Sequence, residues 1–238
     1  MTVITAAPYS LVVAAAADEI RAVQRLRHEV FAGELGAVLH PNDEGLDIDE
    51  FDAVCDHLLV RDDRTGAPVG TYRMLPSGRS ARLYSDGEFD LTALAALRPA
   101  LVEAGRSCVH PDHRTGAVIN LMWAGIARYL HLTGHRWLAG CASVPLADAP
   151  AIWDMARSKH PSPAWLRVTP RRPLPSGLVA SPAGRVRVPP LLRGYLRLGA
   201  WICGEPAYDP DFGCADLFVL LSLDRVDPRY VRHFLGSP

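Results

Sequence analysis

Apolar residues recur at helical spacing in several stretches of the chain, with polar residues between them. The clearest stretch is 117–132, where Val118, Met122 and Ile126 share one face. The other predicted helices are 18–34, 91–101, 147–159 and 190–199. An amphipathic helix of this kind buries its apolar face against other elements.

Shorter apolar runs that are bounded by turn residues predict strands. The predicted strands are 9–15, 55–62, 68–75, 103–111, 137–143 and 216–223. Residues 63–66 join the second strand to the third as a hairpin turn. Because helices alternate with strands, the predicted class is α/β or α+β, with one mixed central sheet flanked by helices.

One segment, residues 160–190, breaks this alternation. It contains eight prolines, which predicts an irregular, turn-rich excursion. The chain shows no internal repeat, and its 238 residues suit one domain. We therefore predict a single domain over residues 1–238 that includes this excursion.

Composition narrows the classes of function. A net charge of -1 gives no field that would attract nucleic acid, so no nucleic-acid partner is expected. The five cysteines are scattered, without a C-x-x-C pair, which is typical of reduced thiols in a cytosolic protein and predicts no metal site. The N-terminus does not resemble a signal peptide, and no apolar stretch approaches the length of a membrane span. We therefore expect a cytoplasmic protein.

Charged residues stand beside or inside apolar segments in the first half of the chain. They are Arg27, Asp49, Asp52, Arg73, Glu103 and Arg106. Burying a charge is costly unless it is paired, so these side chains are expected to meet one another. Such a network is either a structural clasp or an active site.

The strings that contain these charges resemble known signatures. RLRHEVF, DEFD, GTYRML and EAGRSCV are similar to the Arg-x-x-x-Phe, Asp-x-x-Asp, Arg and Glu-x-x-Arg signatures of acyl-homoserine-lactone synthases. Four longer strings are closer to the ornithine-acyl-ACP N-acyltransferases that make lyso-ornithine lipid: CDHLLVRD, FDAVCDH, GRSCVHPDHR and PPLLRGYLRLGAWICGEPAYD. This resemblance extends over residues 9–235.

The resemblance implies a GNAT-type fold and a reaction. The strands near 105–109 and 137–142 would diverge in a V-shaped splay. A long, often 3-hydroxylated acyl chain would pass from acyl carrier protein to the α-amino group of an amino acid. The donor would be the phosphopantetheine thioester of acyl-ACP, with no permanently bound cofactor. Because the product is amphipathic, peripheral contact with the inner face of the membrane is also expected.

The chemistry assigns roles to residues around Glu103. An amine must lose a proton to attack a thioester, and the forming oxyanion needs donors. Glu103 is the expected base, directly or through water, with Arg106 as its partner, and the main-chain N–H groups around Cys108 and Val109 are the expected donors. In an unbroken strand Glu103 and Arg106 would point to opposite faces, so a bulge is predicted, with Gly105 as the bulge residue.

The acceptor site would contain both charges. Asp49 and Asp52 are expected to grip a cationic amino acid or to cap a turn. Arg27 and Arg73 either bind the carboxylate of the substrate or neutralise these acids. Phe31 and Ser107 are expected to line the same site, although a core position for Phe31 and strand hydrogen bonding for Ser107 remain alternatives.

The donor site departs from the pattern of acetyl-coenzyme A enzymes. Where those have a glycine-rich pyrophosphate loop before the long helix, this chain has His-Arg-Thr-Gly-Ala at residues 113–117. Arg114 with the N–H groups of Gly116 and Ala117 would hold a single phosphate, as phosphopantetheine requires. Arg193 and Arg197 are expected to contact the acidic carrier protein or lipid headgroups, or else to form a solvated helix face.

Two other functions remain open at this point. The first is a homoserine-lactone-type synthase that uses S-adenosylmethionine, and the second is a GNAT-fold binding protein without turnover. His57 and Asp62 have the His-x-x-x-x-Asp spacing of glycerolipid acyltransferases, but a strand would place their side chains on opposite faces, so that pairing is rejected.

Overall fold

The structure is a computed structural model that describes residues 3–40, 42, 44–178 and 188–235. The described strands are β1 (Ile4–Ala6), β2 (Tyr9–Ala14), β3 (Asp56–Asp62), β4 (Pro68–Pro76), β5 (Phe89–Asp90), β6 (Leu101–Val109), β7 (Trp137–Val144), β8 (Thr169–Pro170), β9 (Trp201–Ile202), β10 (Ala207–Asp209) and β11 (Cys214–Ser222). The described α-helices are α1 (Ala17–His28), α2 (Gly116–Thr133), α3 (Ala149–Lys159), α4 (Pro190–Arg197) and α5 (Pro228–Leu235).

Two compact units divide these elements. Unit one comprises the described residues of Met1–Arg79, Ala104–His135 and Pro228–Pro238. Unit two comprises those of Ser80–Glu103 and Arg136–Asp227. Strand β6 contributes to both units, because the division falls between Glu103 and Ala104. The single domain predicted from the sequence stays a prediction.

Unit one is built on an antiparallel sheet in which β1, β2, β3 and β4 are neighbours in that order. Successive side chains of a strand point to opposite faces of the sheet. Helix α1 packs on one face, and helix α2 packs on the other. On one face Ala14 of β2 packs with Val23 of α1. On the other face Leu11 of β2 meets Gly125 of α2, where an added Cβ would lie 2.6 Å from Leu11 Cδ1. Glycine at this position therefore lets the helix approach the sheet closely.

The register places polar side chains on the α1 face. His57 of β3 lies opposite Arg73 of β4, and Leu59 lies opposite Thr71. Leu59 belongs to the cluster that packs with α1, so His57 and Arg73, two residues along each strand, share that face. His57 and Arg73 therefore lie on the face of the sheet that packs against α1.

Unit two is built around β11. This strand pairs antiparallel with β7 over eight residue pairs, and β9 and β10 pair antiparallel with its other edge. The first three residues of β6 pair in parallel with β7, from Leu101 opposite Trp137 to Glu103 opposite Ala139. A small separate sheet joins β5 to β8. The divergence of β6 and β7 beyond this ladder stays a prediction.

Most predicted elements are present, with shifted ends. The hairpin, the long helix and the strands at 137–143 and 216–223 are confirmed by β3, β4, α2, β7 and β11. The helix predicted at 18–34 is shorter, because α1 ends at His28 and a π-helical turn, Glu29–Glu34, follows it. The helix predicted at 91–101 is a 3-10 helix, Thr92–Ala100, that includes Pro99. Proline lacks the N–H that an α-helix needs at that point.

The proline-rich excursion lies partly outside the described residues, at 179–187. Its described part contains a 3-10 turn, Ala164–Leu166, and the short strand β8. The irregular structure predicted there is confirmed for these residues. Within the described parts of the chain, none of the helices combines the length and the apolar character that crossing a membrane requires.

Candidate active site

Arg27 is the centre of a buried ion-pair network in unit one. Its side chain is 0% exposed. Nε donates to Asp47 Oδ2 at 2.8 Å, and Nη2 donates to Asp52 Oδ1 at 2.8 Å. Nη2 also donates to the main-chain carbonyl of Asp47. Helix α1 thus presents a cation that the loop before β3 surrounds with two acids.

Two further arginines close the network from the sheet. Arg73 Nη1 donates to Asp49 Oδ1 at 2.6 Å and to Asp52 Oδ2 at 3.1 Å. Arg106 of β6 approaches Asp47 Oδ2 with Nε at 3.3 Å and Asp49 Oδ2 with Nη2 at 3.4 Å. We call this set the charge cluster; its members are Arg27, Asp47, Asp49, Asp52, Arg73 and Arg106. Three guanidinium groups face three carboxylates, so the formal charges cancel.

The acids of the charge cluster are held by main-chain donors as well. Asp52 Oδ2 accepts from the N–H of Asp49 at 2.9 Å, and Asp49 Oδ1 accepts from the N–H of Phe51 at 2.9 Å. Burial raises the pKa of Asp52, but the charges of Arg27 and Arg73 outweigh this effect and hold that pKa below its usual value. Asp52 is therefore ionised at neutral pH.

His57 adds a neutral group at the edge of the charge cluster. Its Nε2 lies 3.2 Å from the carbonyl oxygen of Asp52 and 3.7 Å from Asp52 Oδ1. Burial lowers the pKa of His57, so the ring is uncharged at neutral pH. Asp62 is bonded instead by Arg64, with Nη2 at 3.1 Å from Oδ2. His57 and Asp62 thus serve different partners.

Backbone strain accompanies the placement of Arg106. This residue has φ of +48°, in the left-handed region that side chains other than glycine rarely adopt. The sequence predicted a bulge at Gly105, and the unusual backbone falls one residue later. Such a conformation costs about 1–3 kcal/mol and persists where the surroundings enforce it. The guanidinium group of this residue contacts Asp47 and Asp49.

Glu103 stands in a different setting, in unit two. Its side chain is buried, and its carboxylate accepts hydrogen bonds from Tyr84 and Ser85. Oε2 accepts from the N–H of Tyr84 at 2.6 Å, while Oε1 accepts from the N–H of Ser85 at 2.8 Å and from Ser85 Oγ at 2.5 Å. The donors come from the start of a 3-10 helix, Tyr84–Gly87. Ser85 Oγ also lies 3.2 Å from Cys141 Sγ on β7.

A second buried carboxyl lies close to Cys141. Burial and the neighbouring Asp216 raise the pKa of Glu88 to about 9, so it carries a proton at neutral pH. Asp216 Oδ1 accepts from Ser143 Oγ at 2.7 Å. Glu88 is therefore neutral, and its neighbour Asp216 is hydrogen-bonded to Ser143.

One group of potential metal ligands occurs among the described residues. The ligand atoms of Asp209, Cys214 and Asp216 lie within 4.8 Å of one another. Burial raises the pKa of the Cys214 thiol, and a metal ion binds the thiolate rather than the thiol. Asp209 Oδ1 already accepts from the N–H groups of Asp211 and Phe212, at 2.9 and 3.2 Å. Cys214 therefore retains its proton, and Asp209 is engaged in hydrogen bonds within its loop, so this group is a poor metal site.

The residues that are expected to bind the acyl donor lie at the start of α2. Gly116 and Ala117 open this helix, and the side chain of the N-cap residue Thr115 makes no capping hydrogen bond. Arg114 is engaged elsewhere, since its Nη1 and Nη2 donate to Glu34 Oε1 and Oε2 at 2.7 and 2.5 Å. A phosphate at this helix end would therefore have to compete with Glu34 for Arg114.

The remaining predicted residues have mixed settings. Phe31 is buried within the π-helical turn, and Ser107 is half-buried in β6. Cys108 is buried, and burial raises the pKa of its thiol to about 12, so it is a core thiol and not a nucleophile. The carbonyl oxygen of Val109 accepts from Arg114 Nε at 3.2 Å.

Helix α4 is amphipathic, as the sequence predicts. Arg193 and Arg197 are exposed on one side, while the opposite side buries Leu192, Tyr195 and Leu196. The chain then turns at Gly199, which has φ of +90°. The two arginines are thus available at the surface of unit two.

Comparison with known proteins now places the chain. It is 34% identical over 237 residues to the L-ornithine N(alpha)-acyltransferase of Brucella abortus, covering 90% of this chain and 84% of the relative. The chain belongs to the L-ornithine N(alpha)-acyltransferase family. The protein of that name from Rhodobacter capsulatus is 37% identical over 241 residues, with 93% of each chain covered. Residues 26–124 match the family described as Acetyltransferase (GNAT) domain.

Solved structures support the same fold. BjaI, a CoA-dependent acyl-homoserine lactone synthase, has a TM-score of 0.58 at 17% identity, with 93% of this chain and 83% of that chain covered. FeeM, an N-acyl amino acid synthase from uncultured soil microbes, has a TM-score of 0.58 at 12% identity, with 91% and 92% covered. The mixed α/β architecture of the GNAT type is confirmed.

The structure brings together five of the predicted site residues. Arg27, Asp49, Asp52, Arg73 and Arg106 form one network, and the convergence of Glu103 with them stays a prediction. Sequence reasoning missed Asp47, His57 and Ser85. Asp47 precedes Asp49 by two residues in LDIDEFD, and this alternation of acids was the available signal.

Proposed function

We propose that this protein transfers a long acyl chain from acyl carrier protein to the α-amino group of ornithine, as a step in aminolipid synthesis. The observation that carries the reaction is the 32–37% identity, over 90–93% of this chain, to four relatives named L-ornithine N(alpha)-acyltransferase. The family resemblance implies an acyl chain that is long and often 3-hydroxylated.

Glu103 is the general base in this proposal. The α-amine must be neutral to attack the thioester carbon, and a positioned carboxylate takes its proton directly or through one water. As nitrogen bonds to the carbonyl carbon, an oxyanion forms, and the N–H groups around Cys108 and Val109 stabilise it. Collapse of this intermediate expels the pantetheine thiolate, which takes up a proton.

The charge cluster supplies the acceptor site through its more exposed members. The side chains of Arg106 and Asp49 are 13% and 10% exposed, whereas those of Arg27, Asp47, Asp52 and Arg73 are at most 5% exposed. The contacts of Arg106 are also the longest of the cluster, at 3.3 and 3.4 Å. We therefore assign Arg106 to the carboxylate of ornithine and Asp49 to one of its ammonium groups. The other four hold these two in place.

The donor is held at the start of α2. The first N–H groups of a helix attract anions, and those of Gly116 and Ala117 lie there. A single phosphate suits this short site, which favours phosphopantetheine on a carrier protein over coenzyme A. Arg114 joins the site when the phosphate displaces Glu34 from it.

The deciding experiment combines the purified chain with ornithine and one acyl group on either carrier protein or coenzyme A. Mass spectrometry should detect N-acylornithine, formed much faster from acyl-ACP. Equal initial rates with both donors would overturn the carrier-protein assignment. Formation of an acyl-homoserine lactone from S-adenosylmethionine, with no acylornithine, would overturn the acceptor assignment.

The proposal also gives the protein a location. The reaction joins a polar amino acid to an apolar chain, so its product partitions into a bilayer interface. We therefore place the protein in the cytoplasm, with peripheral contact at the inner face of the membrane. Flotation with vesicles, with and without bound product, tests this part independently of the reaction.

A further inference from the structure

The carboxylate of Glu103 is held by a turn that is itself fixed from several sides. The N–H of Leu83 donates to Asp86 Oδ2 at 2.8 Å, which closes the first turn of the 3-10 helix Tyr84–Gly87. Arg98 clamps the same carboxylate, with Nη1 at 2.9 Å from Oδ2 and Nη2 at 2.5 Å from Oδ1. Arg171 Nε donates to the carbonyl of Asp86 at 2.8 Å. The donors that face Glu103 are therefore mounted on a rigid support.

Ser85 is the side chain that reaches Glu103 from this turn. It is 1% exposed, and the hydrogen bond from its Oγ, at 2.5 Å, is shorter than those from the N–H groups of Tyr84 and Ser85. A hydroxyl has one hydrogen to donate, and here the carboxylate takes it. Side-chain and main-chain donors of the same residue thus converge on Oε1, while Tyr84 serves Oε2.

Cys141 contacts that hydroxyl. Its Sγ lies 3.2 Å from Ser85 Oγ, and burial raises the pKa of the thiol well above its usual value. The thiol therefore keeps its hydrogen and can donate it to Ser85 Oγ, in competition with the carboxyl group of Glu88, which also contacts the thiol. Cys141, Ser85 and Glu103 thus form a connected series of polar contacts in unit two.

We propose that Ser85 is a positioning residue for acyl transfer, which orients Glu103 and favours its ionised, proton-accepting form. This inference rests on the proposed role of Glu103 as the base. Hydrogen bonds to a charged carboxylate strengthen its charged form and fix its plane, both of which a general base requires. The charged or titratable groups on the elements around Glu103 include Asp86, Arg98, Cys141 and Glu88, which approaches Cys141.

The primary test is Ser85→Ala, assayed with acyl-ACP and ornithine across pH. We expect the plateau value of kcat to fall ~10-fold, because the carboxylate loses a donor that fixes its orientation. The acidic limb of the kcat/KM profile should move about one pH unit upward, because protonated Glu103 is no longer disfavoured by the lost donor. The KM for ornithine should stay within about two-fold of wild type, because Ser85 touches the base and not the acceptor.

The matched control is Ser143→Ala, which removes a serine-to-carboxylate hydrogen bond of 2.7 Å from the same unit. This variant should leave both kcat and the acidic limb unchanged. A second pair, Cys141→Ala and Cys141→Ser, tests the contact of Cys141 with Ser85 and keeps the proposal testable if Ser85→Ala does not fold. Cys141→Ala should lower kcat by about 3-fold, and Cys141→Ser, which retains a donor, should restore it.

The outcomes separate this inference from the proposed function. Glu103→Gln is measured in parallel. If that variant loses activity while Ser85→Ala keeps the wild-type kcat and acidic limb, the positioning role is wrong and the base stands. If Glu103→Gln keeps full activity, the base assignment is wrong, and the positioning role is overturned with it.

Discussion

The two buried polar regions of this protein surround their carboxylates with different kinds of partner. In the charge cluster of unit one, each acid meets guanidinium groups, as Asp52 does with Arg27 and Arg73. In unit two, Glu103 accepts hydrogen bonds from neutral donors of Tyr84 and Ser85. A carboxylate that is neutralised by a cation resists protonation and serves as a frame. Hydrogen bonds from neutral donors also favour the ionised form of a carboxylate, but they add no positive charge of their own.

The largest effect is expected when Glu103 is replaced by glutamine. The substitution keeps the shape of the side chain but removes the proton acceptor, so we expect the acyl-transfer rate to fall by on the order of 10²–10⁴. The midpoint of denaturation should change little. Single-turnover rates with acyl-ACP measure the first effect, and Glu205→Gln, an exposed acid in the same unit, is the control. A near-normal rate would move the base to another residue.

The next test breaks the charge cluster at its centre. Arg27→Met leaves Asp47 and Asp52 without their most buried partner, and removing one member of a buried pair costs about 3–5 kcal/mol. Urea denaturation followed by circular dichroism measures the loss. Arg157→Met removes an exposed pair, Arg157 Nε to Asp154 Oδ1 at 2.9 Å, and should cost less than about 1 kcal/mol. Equal effects of the two variants would contradict the framing role of the cluster.

A third test concerns pH and the neutral acid Glu88. Its pKa is about 9 in the folded protein and close to its usual 4.5 in the unfolded chain, so the folded state holds an extra proton between these values. Stability contributed by this proton is complete at low pH and is lost as pH rises through that window. Glu88→Gln should therefore stabilise the protein by ~1–3 kcal/mol at pH 8 and by little near pH 4. Urea titrations at both pH values check this, and a gain that does not depend on pH would contradict it.

The smallest expected effect is at the surface. Arg193→Ala with Arg197→Ala removes exposed charges from α4, and rim charges mainly change association rates. We expect kcat/KM for acyl-ACP to fall about 3-fold at low salt and to match wild type at high salt, because ions screen charges over roughly 8–10 Å. Rates with acyl-coenzyme A should not change. An unaltered rate with acyl-ACP would remove α4 from the contact and leave the start of α2.

Sequence patterns predicted the elements with strong local signals. The turn between β3 and β4, the apolar face of α2 and the amphipathic α4 depend on residues close in the chain. The missed strands are β1, β5, β8, β9 and β10, and each has two or three residues, which is too short for a period to be visible. The early end of α1 was missed for another reason, since apolar spacing continues through Phe31 while the backbone changes to a π-helical turn.

The site was predicted where a charge stood inside an apolar segment, and missed where it did not. Arg27 and Arg73 were visible in this way. Ser85 lies in a polar loop with no period, and only the folding of the chain brings it to Glu103. Asp47 was passed over because the family signature marks the acids that follow it. Its role depends on the loop closing onto α1, where its N–H donates to the carbonyl of Gln24 at 3.1 Å.

The close approach of α2 to the sheet has a consequence for how this family can diverge. A methyl group at position 125 would overlap the side chain of Leu11, so an alanine fits there only if residue 11 becomes smaller. The two positions are therefore expected to change together in descendants of this chain, with a smaller residue at 11 accompanying any alanine at 125. Each order of mutation passes through a less stable intermediate, overpacked in one case and hollow in the other. Historical paths between the two solutions should be rare and should carry compensating changes nearby.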